Sequence, residues 1–218
     1  MNFNFYKADA EYCDFLRKSD PCVPYTMDEK NTRPFIGIVF AIRGFSYFAP
    51  LTSPKPKHMK MKNKIDFLKI NGGKWGAINF NNMVPIHPDC LEPVDIKILP
   101  TDDKATIAYK NLLSNQLSWC NTQKNKASII RKAAKLYFVI TEKTADPELL
   151  KRCCNFELDE RQCIEYCKIH NLSFVENPII EDKKTPVNEQ IADAEPRADA
   201  HNSGLLKDNP DRGDRDKS

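Results

Sequence analysis

Aromatic and polar residues alternate in NFNFYKA (residues 2–8), the pattern of a half-buried strand. Asp9 then stands at an N-cap position ahead of Tyr12, Phe15 and Leu16, which share one helical face. Two β-rich runs follow, FIGIVFAI (35–42) and FSYFAPL (45–51), joined at Arg43-Gly44 as a tight hairpin; the first is apolar enough for a central strand. IDFLKI and WGAINF flank Asn71-Gly72-Gly73 and predict a second hairpin. Pro85, Pro88, Pro93 and Pro100 mark an irregular crossing.

Beyond it the period changes from two to 3.6. A helix from Thr101 or Asp102 to Asn121 carries Tyr109, Leu112, Leu113, Leu117 and Cys120. A second, over 126–142, carries Ile130, Ala134, Tyr137 and Phe138. Asp146-Pro147 caps a third, and a short fourth holds Cys163, Tyr166 and Cys167. Strands early and helices late predict an α+β fold with a mainly antiparallel sheet.

Composition divides the chain. From Glu176 onward there is no Phe, Tyr, Trp or Cys, so residues 1–175 are predicted to form a single domain and residues 176–218 a disordered acidic tail. The tail holds 7 of the 33 basic residues and 11 of the 30 acidic ones, which leaves a distinctly basic body suited to a polyanionic partner. The N-terminus lacks a signal-peptide pattern, and no stretch approaches the ~20 apolar residues that span a bilayer; this predicts a cytoplasmic protein with no membrane partner. Eight cysteines without a CxxC pair then read as reduced thiols. Cys153, Cys154, Cys163 and Cys167 could suggest zinc, but the helical spacing of the last two favours core packing, so neither a metal nor another cofactor is expected.

The densest chemistry lies in YFAPLTSPKPKHMKMKNK (47–64), where Thr52, Ser53, five lysines and His58 follow a strand. So many like charges repel one another unless something anionic lies against them. Carboxylate pairs, HExxH, Walker loops and GxSxG are all absent, which leaves open RNA cleavage in which the ribose 2′-OH attacks its own phosphate. There the protein orients the chain, stabilises charge on the phosphorane oxygens and moves protons. Thr52, Ser53 and Lys55, with the more distant Arg33 and Tyr25, are of the right types. A lysine ammonium stays charged at neutral pH, so it stabilises charge rather than accepting a proton. Lys57, His58, Lys60, Lys62 and Lys64 would bind RNA from a flexible basic loop. The plainer alternative is a proline-rich strand exit with hydroxyls in local turns and lysines in water.

RPFIGIVFAIRGFSYFAPLTSPKPKH (33–58) resembles the signature of the ToxN/AbiQ family of type III toxin–antitoxin endoribonucleases. The resemblance continues through GAINFNNMVPI, YKNLLSNQL and CNFELDE, about residues 1–170. It implies a twisted, barrel-like antiparallel core similar to Kid and MazF toxins, surrounded by helices. It also implies a metal-independent endoribonuclease that leaves 2′,3′-cyclic phosphate and 5′-hydroxyl ends and acts in phage defence by abortive infection. An antitoxin RNA of tandem repeats, cut by the toxin and retained in a closed protein–RNA assembly, would inhibit it, and cellular RNAs would be its other substrates. Thr52, Ser53 and Lys55 match the family's TSPK segment; Arg33 stands where a lysine is usual, and Tyr25 takes the place of a tyrosine expected nearer the strand. Two other readings remain at this point: a noncatalytic RNA-binding relative, and a protein-interaction domain with a basic loop.

Overall fold

The computed structural model describes residues 2–25 and 34–174. Arg33 and the acidic tail therefore lie outside the described residues.

The first strand, β1 (Asn4–Ala8), pairs antiparallel with β2 (Phe35–Ile42), which pairs with β3 (Phe45–Thr52). Every residue of β2 except Ile42 is buried, as its unbroken apolar run predicts for a strand with neighbours on both sides. The β2–β3 register shifts between Ile36 and Phe40. The free side of β3 is shared by two short strands: its first half pairs with β6 (Val84–Pro85), and Leu51 and Thr52 pair with β5 (Ala77–Asn79). β4 (Phe67–Lys69) continues from β5, and β7 (Leu91–Pro93) lies beyond β1. The strand order β4-β5-β3-β2-β1-β7 has two ends, so the expected barrel-like core is a seven-stranded open sheet.

Among the described residues six α-helices accompany the sheet. α1 (Ala10–Arg17) starts where Asp9 accepts a hydrogen bond from the Tyr12 amide, and it buries Tyr12, Cys13 and Leu16. α2 (Pro56–Lys60) is a single turn within the lysine-rich segment. α3 (Lys104–Cys120) is capped by Asp103 rather than Thr101 or Asp102, and Tyr109 on its outer side is exposed. α4 (Gln123–Thr141) covers β2, with the Tyr137 ring 4.9 Å from that of Phe40. α5 (Pro147–Arg152) begins at the predicted Asp146-Pro147 cap, and α6 (Phe156–Ile169) packs against α1 through an edge-to-face contact of Tyr12 and Tyr166 at 4.9 Å. Cys153, Cys154, Cys163 and Cys167 are all buried. Among the described residues no helix is long and apolar enough to cross a membrane.

The core therefore lies between a strongly aromatic sheet and helices delivered by the second half of the chain. Phe35, Phe40, Tyr47, Phe48, Phe80 and Phe156 are all enclosed in it. Truncating one such phenylalanine to alanine costs about 3–5 kcal/mol.

Candidate functional site

Thr52 is the last residue of β3, and its ladder partner is Ala77. The chain leaves the sheet there with Ser53 and Lys55 exposed, while Thr52 is half-buried. What holds this exit in place is the turn between β4 and β5. Gly76 (φ 92°) lies so close beneath the strand end that a Cβ there would stand 2.0 Å from the Thr52 carbonyl oxygen. Gly73 (φ 96°) is similarly close to the next segment, where a Cβ would stand 2.8 Å from the His58 backbone. From the far side, the Gln116 side chain of α3 donates to the Trp75 carbonyl. The hydroxyl pair and α2 thus rest on one glycine-bearing turn that is braced by α3. The sequence showed the turn but not what it supports, because a close backbone approach leaves no local pattern.

α2 begins at Pro56, with Lys55 at its N-cap, and His58 NH bonds back to the Lys55 carbonyl. Lys55, Lys57 and Lys60 point to solvent; His58 does not. Its side chain is inside the domain at 2% exposure, its ring meets Phe67 edge-on at 5.7 Å, and Nδ1 has no hydrogen-bond partner. Burial, then the charges of Lys57 and Lys55, hold its pKa below the usual histidine value and favour the neutral ring. The expectation of an RNA-facing His58 on a surface loop is thereby corrected: the ring is the peg that seats α2.

The expectation of a flexible loop is corrected as well. Lys69 Nζ donates to the Met59 carbonyl at 3.3 Å, the Lys69 amide to Asn63 Oδ1 at 2.8 Å, and Lys132 of α4 to the Lys64 carbonyl at 2.6 Å. Lys64 and Phe67 also form a backbone bridge. The backbone of 56–64 is tied down while its lysine side chains are exposed, and none of Lys55, Lys57, Lys60, Lys62 and Lys64 pairs with a carboxylate of the described residues. The segment itself contains no Asp or Glu. The result is a fixed row of cations beside two hydroxyl donors, a surface that attracts a phosphate chain and is short of oxygen ligands for a hard metal ion.

Tyr25 is 46% exposed near the end of α1, with the Arg17 guanidinium 4.3 Å above its ring. None of the described contacts joins it to Thr52, Ser53 or Lys55, and Arg33 lies outside the described residues.

A second polar cluster lies within the core. Glu160 of α6 accepts from the Tyr47 hydroxyl at 2.9 Å, the Tyr137 hydroxyl at 2.8 Å and Arg43 at 2.7 Å. Burial still raises its pKa, and these three partners oppose the shift. The adjacent Asp159 is fully buried, yet neither carboxylate oxygen has a hydrogen-bond partner. Desolvation, with the Asp20 and Glu160 charges, pushes its pKa up to about 9.

Three comparisons place this architecture among known proteins. Residues 4–163 match the family described as Toxin ToxN, type III toxin-antitoxin system. The chain is 30% identical to the endoribonuclease ToxN of Bacillus thuringiensis subsp. kurstaki, over 76% of its own length and 84% of that protein. It is 28% identical to the endoribonuclease AbiQ of Lactococcus lactis subsp. lactis, over 77% of its length and 91% of that protein. A solved toxin structure showing selective inhibition by a non-coding RNA pseudoknot superposes with a TM-score of 0.62 at 30% identity, covering 76% of this chain and 98% of the other. The structure of AbiQ, a lactococcal anti-phage endoribonuclease, also superposes with a TM-score of 0.62, at 28% identity over 77% of this chain and 99% of that one. With the family match spanning most of the chain and the folds in agreement, this protein belongs to the ToxN family of type III toxin–antitoxin toxins, whose named relatives are endoribonucleases.

Proposed function

We propose that this endoribonuclease cuts RNA by attack of the ribose 2′-OH on its own phosphate, with Thr52 and Ser53 donating to the phosphate oxygens and Lys55 stabilising the charge of the phosphorane. The observation that carries the reading is the exposure of Ser53 and Lys55, next to half-buried Thr52, on a backbone held by Gly76, beside lysines that no described carboxylate neutralises. Because the nucleophile belongs to the RNA, the protein's task is positioning and charge stabilisation, for which a rigid platform is better suited than a mobile loop. The hydroxyl and ammonium donors perform that task without a metal in the site. Arg33 and Tyr25 complete the set on the strength of the family resemblance.

The same surface retains an inhibitory RNA. Its row of cations suits a phosphate backbone, and a solved relative is inhibited by an RNA pseudoknot. Here the toxin cuts a tandem-repeat precursor, retains the products in a closed assembly and, when released during phage infection, cuts cellular transcripts inside the bacterium. AbiQ, with its anti-phage role, supports that reading.

The test is the chemistry of the cut ends. Purified protein incubated with its repeat RNA in EDTA should yield 2′,3′-cyclic phosphate and 5′-hydroxyl termini. Retained but uncut RNA would identify a noncatalytic binder. In protein whose circular dichroism is unchanged by EDTA, activity that is lost and then restored by Mg²⁺ would contradict the mechanism.

A further inference from the structure

The unpartnered carboxylate of Asp159 does not stand alone. Asp20, Cys154 and Asp159 each offer a donor atom, and all three atoms lie within 4.8 Å of one another in the interior. Asp20 is already oriented by the protein, since one of its oxygens accepts the Cys22 amide at 2.8 Å and the other the Asn155 amide at 2.6 Å. Asp159 is held by its position in α6 and has spare lone pairs on both oxygens. A buried carboxylate without a partner is costly, and its neighbour Glu160, with three partners, shows that this core can satisfy an acid where it is built to do so.

We propose that Asp20, Cys154 and Asp159 form a closed structural site for one zinc-like divalent cation, which ties the turn after α1 to the start of α6. A thiolate with two carboxylates favours a borderline ion over Mg²⁺ or Ca²⁺, which demand more oxygens and more room. Two donors at about 2.0–2.3 Å from one zinc stand about 3.5 Å apart. The present spread of up to 4.8 Å thus needs a contraction of no more than about 1.3 Å, within reach of side-chain adjustment. Cys22, which interacts electrostatically with Asp20, Asp159 and Cys154, is the thiol proposed for the fourth position. The site is separate from the hydroxyls and lysines of 52–64 and stabilises the fold rather than taking part in cleavage.

Cobalt is the probe. The full-length chain, stripped with a chelator and titrated with Co²⁺, should develop a thiolate-to-cobalt charge-transfer band together with a tetrahedral visible band. Both should saturate at one ion per chain and be bleached by Zn²⁺. Cys154→Ser should abolish the charge-transfer band and Asp159→Asn the saturable binding, with Cys22→Ser having the smaller effect. At a hundredfold excess over Kd, zinc should raise the wild-type Tm by about 5–10 °C and leave that of Asp159→Asn unchanged. A folded wild-type protein with no band, or a band indifferent to Cys154→Ser, would overturn the proposal. So would a higher Tm in Asp159→Asn than in the metal-treated wild type, because the cluster would then be a buried acid holding a proton. The termini of the cleaved RNA, read on the same preparations, test the cleavage mechanism independently, so either proposal can fail without the other.

Discussion

The segment 52–64 and the start of α6 are both dense in polar groups, yet they use them in opposite directions. In the first, the backbone is tied to the rest of the domain and the side chains, apart from buried His58 and half-buried Thr52, are exposed: the Ser53 hydroxyl and the ammonium groups face solvent without carboxylate partners among the described residues. In the second, the side chains are buried, and Glu160 spends its hydrogen-bonding capacity on Tyr47, Tyr137 and Arg43. The difference separates polar residues that build the protein from those available to a ligand. Charge density alone does not make that distinction; the state of each group's partners does.

The buried side should break hardest. Glu160→Ala leaves Arg43 and two phenols without their common acceptor, and removing one member of a buried charged network costs about 3–5 kcal/mol. Thermal unfolding should show a Tm lower by roughly 10 °C, since 1 kcal/mol moves Tm by about 2–4 °C in a chain of this size. Cleavage per folded molecule should be retained below that temperature. A normal Tm would mean the network is not needed for stability.

On the exposed side, changing Lys57, Lys60, Lys62 and Lys64 together to Gln should flatten the slope of log K against log salt for repeat RNA by up to ~2.8, at about 0.7 per phosphate contact. Lys55→Gln should instead slow cleavage far more than it weakens binding. If the quadruple variant keeps its slope, the RNA lies on another face.

Gly76→Ala links the two kinds of region, because it alters a support rather than a functional group. A left-handed φ costs a non-glycine residue about 1–2 kcal/mol, and the added Cβ meets the Thr52 carbonyl as well. Stability should fall by about 2 kcal/mol and cleavage should fall with it, as measured by denaturant unfolding and single-turnover cutting. Full activity would show that the Thr52–Ser53 exit does not depend on this platform.

The smallest effect belongs to His58. Its pKa is lower in the folded chain than in the unfolded one, so the unfolded state takes up more protons as the solution is acidified. The stability it contributes is present above about pH 6.5 and declines as pH falls from there toward the folded pKa. A comparison of the two proteins across this range should show that His58→Phe lacks that component; identical pH profiles would contradict the burial argument.

These regions also differ in how far the sequence exposes them. The Phe35–Thr52 hairpin and helices α3 to α6 are carried by apolar period and by caps such as Asp146, which are local signals. α2 is not, because a single lysine-rich turn has no amphipathic pattern; it is stabilised by its seat on Gly73 and by the buried His58 ring, both set by chain distant from it. His58 takes its apparent surface character from charged neighbours and its true burial from Phe67. Gln116 and Asp159 show the same limit, since a polar residue on a helix gives no sign of whether its partner is water, a carbonyl or nothing. The chemical types in TSPK could be read directly, but the turn that fixes them could not. Closure of the sheet was not local either: it depends on whether β4 meets β7, and no contiguous pattern encodes that.

The most direct test of the central claim is single-turnover cleavage by Ser53→Ala at saturating repeat RNA, measured alongside RNA affinity and Tm. The exposed hydroxyl supports no part of the core, so folding and affinity should match the wild type. Loss of one donor to the transition-state phosphate should slow cutting by about 10² to 10³. Cleavage at wild-type speed would remove Ser53 from the chemistry and contradict the assignment of the 52–55 segment as the site.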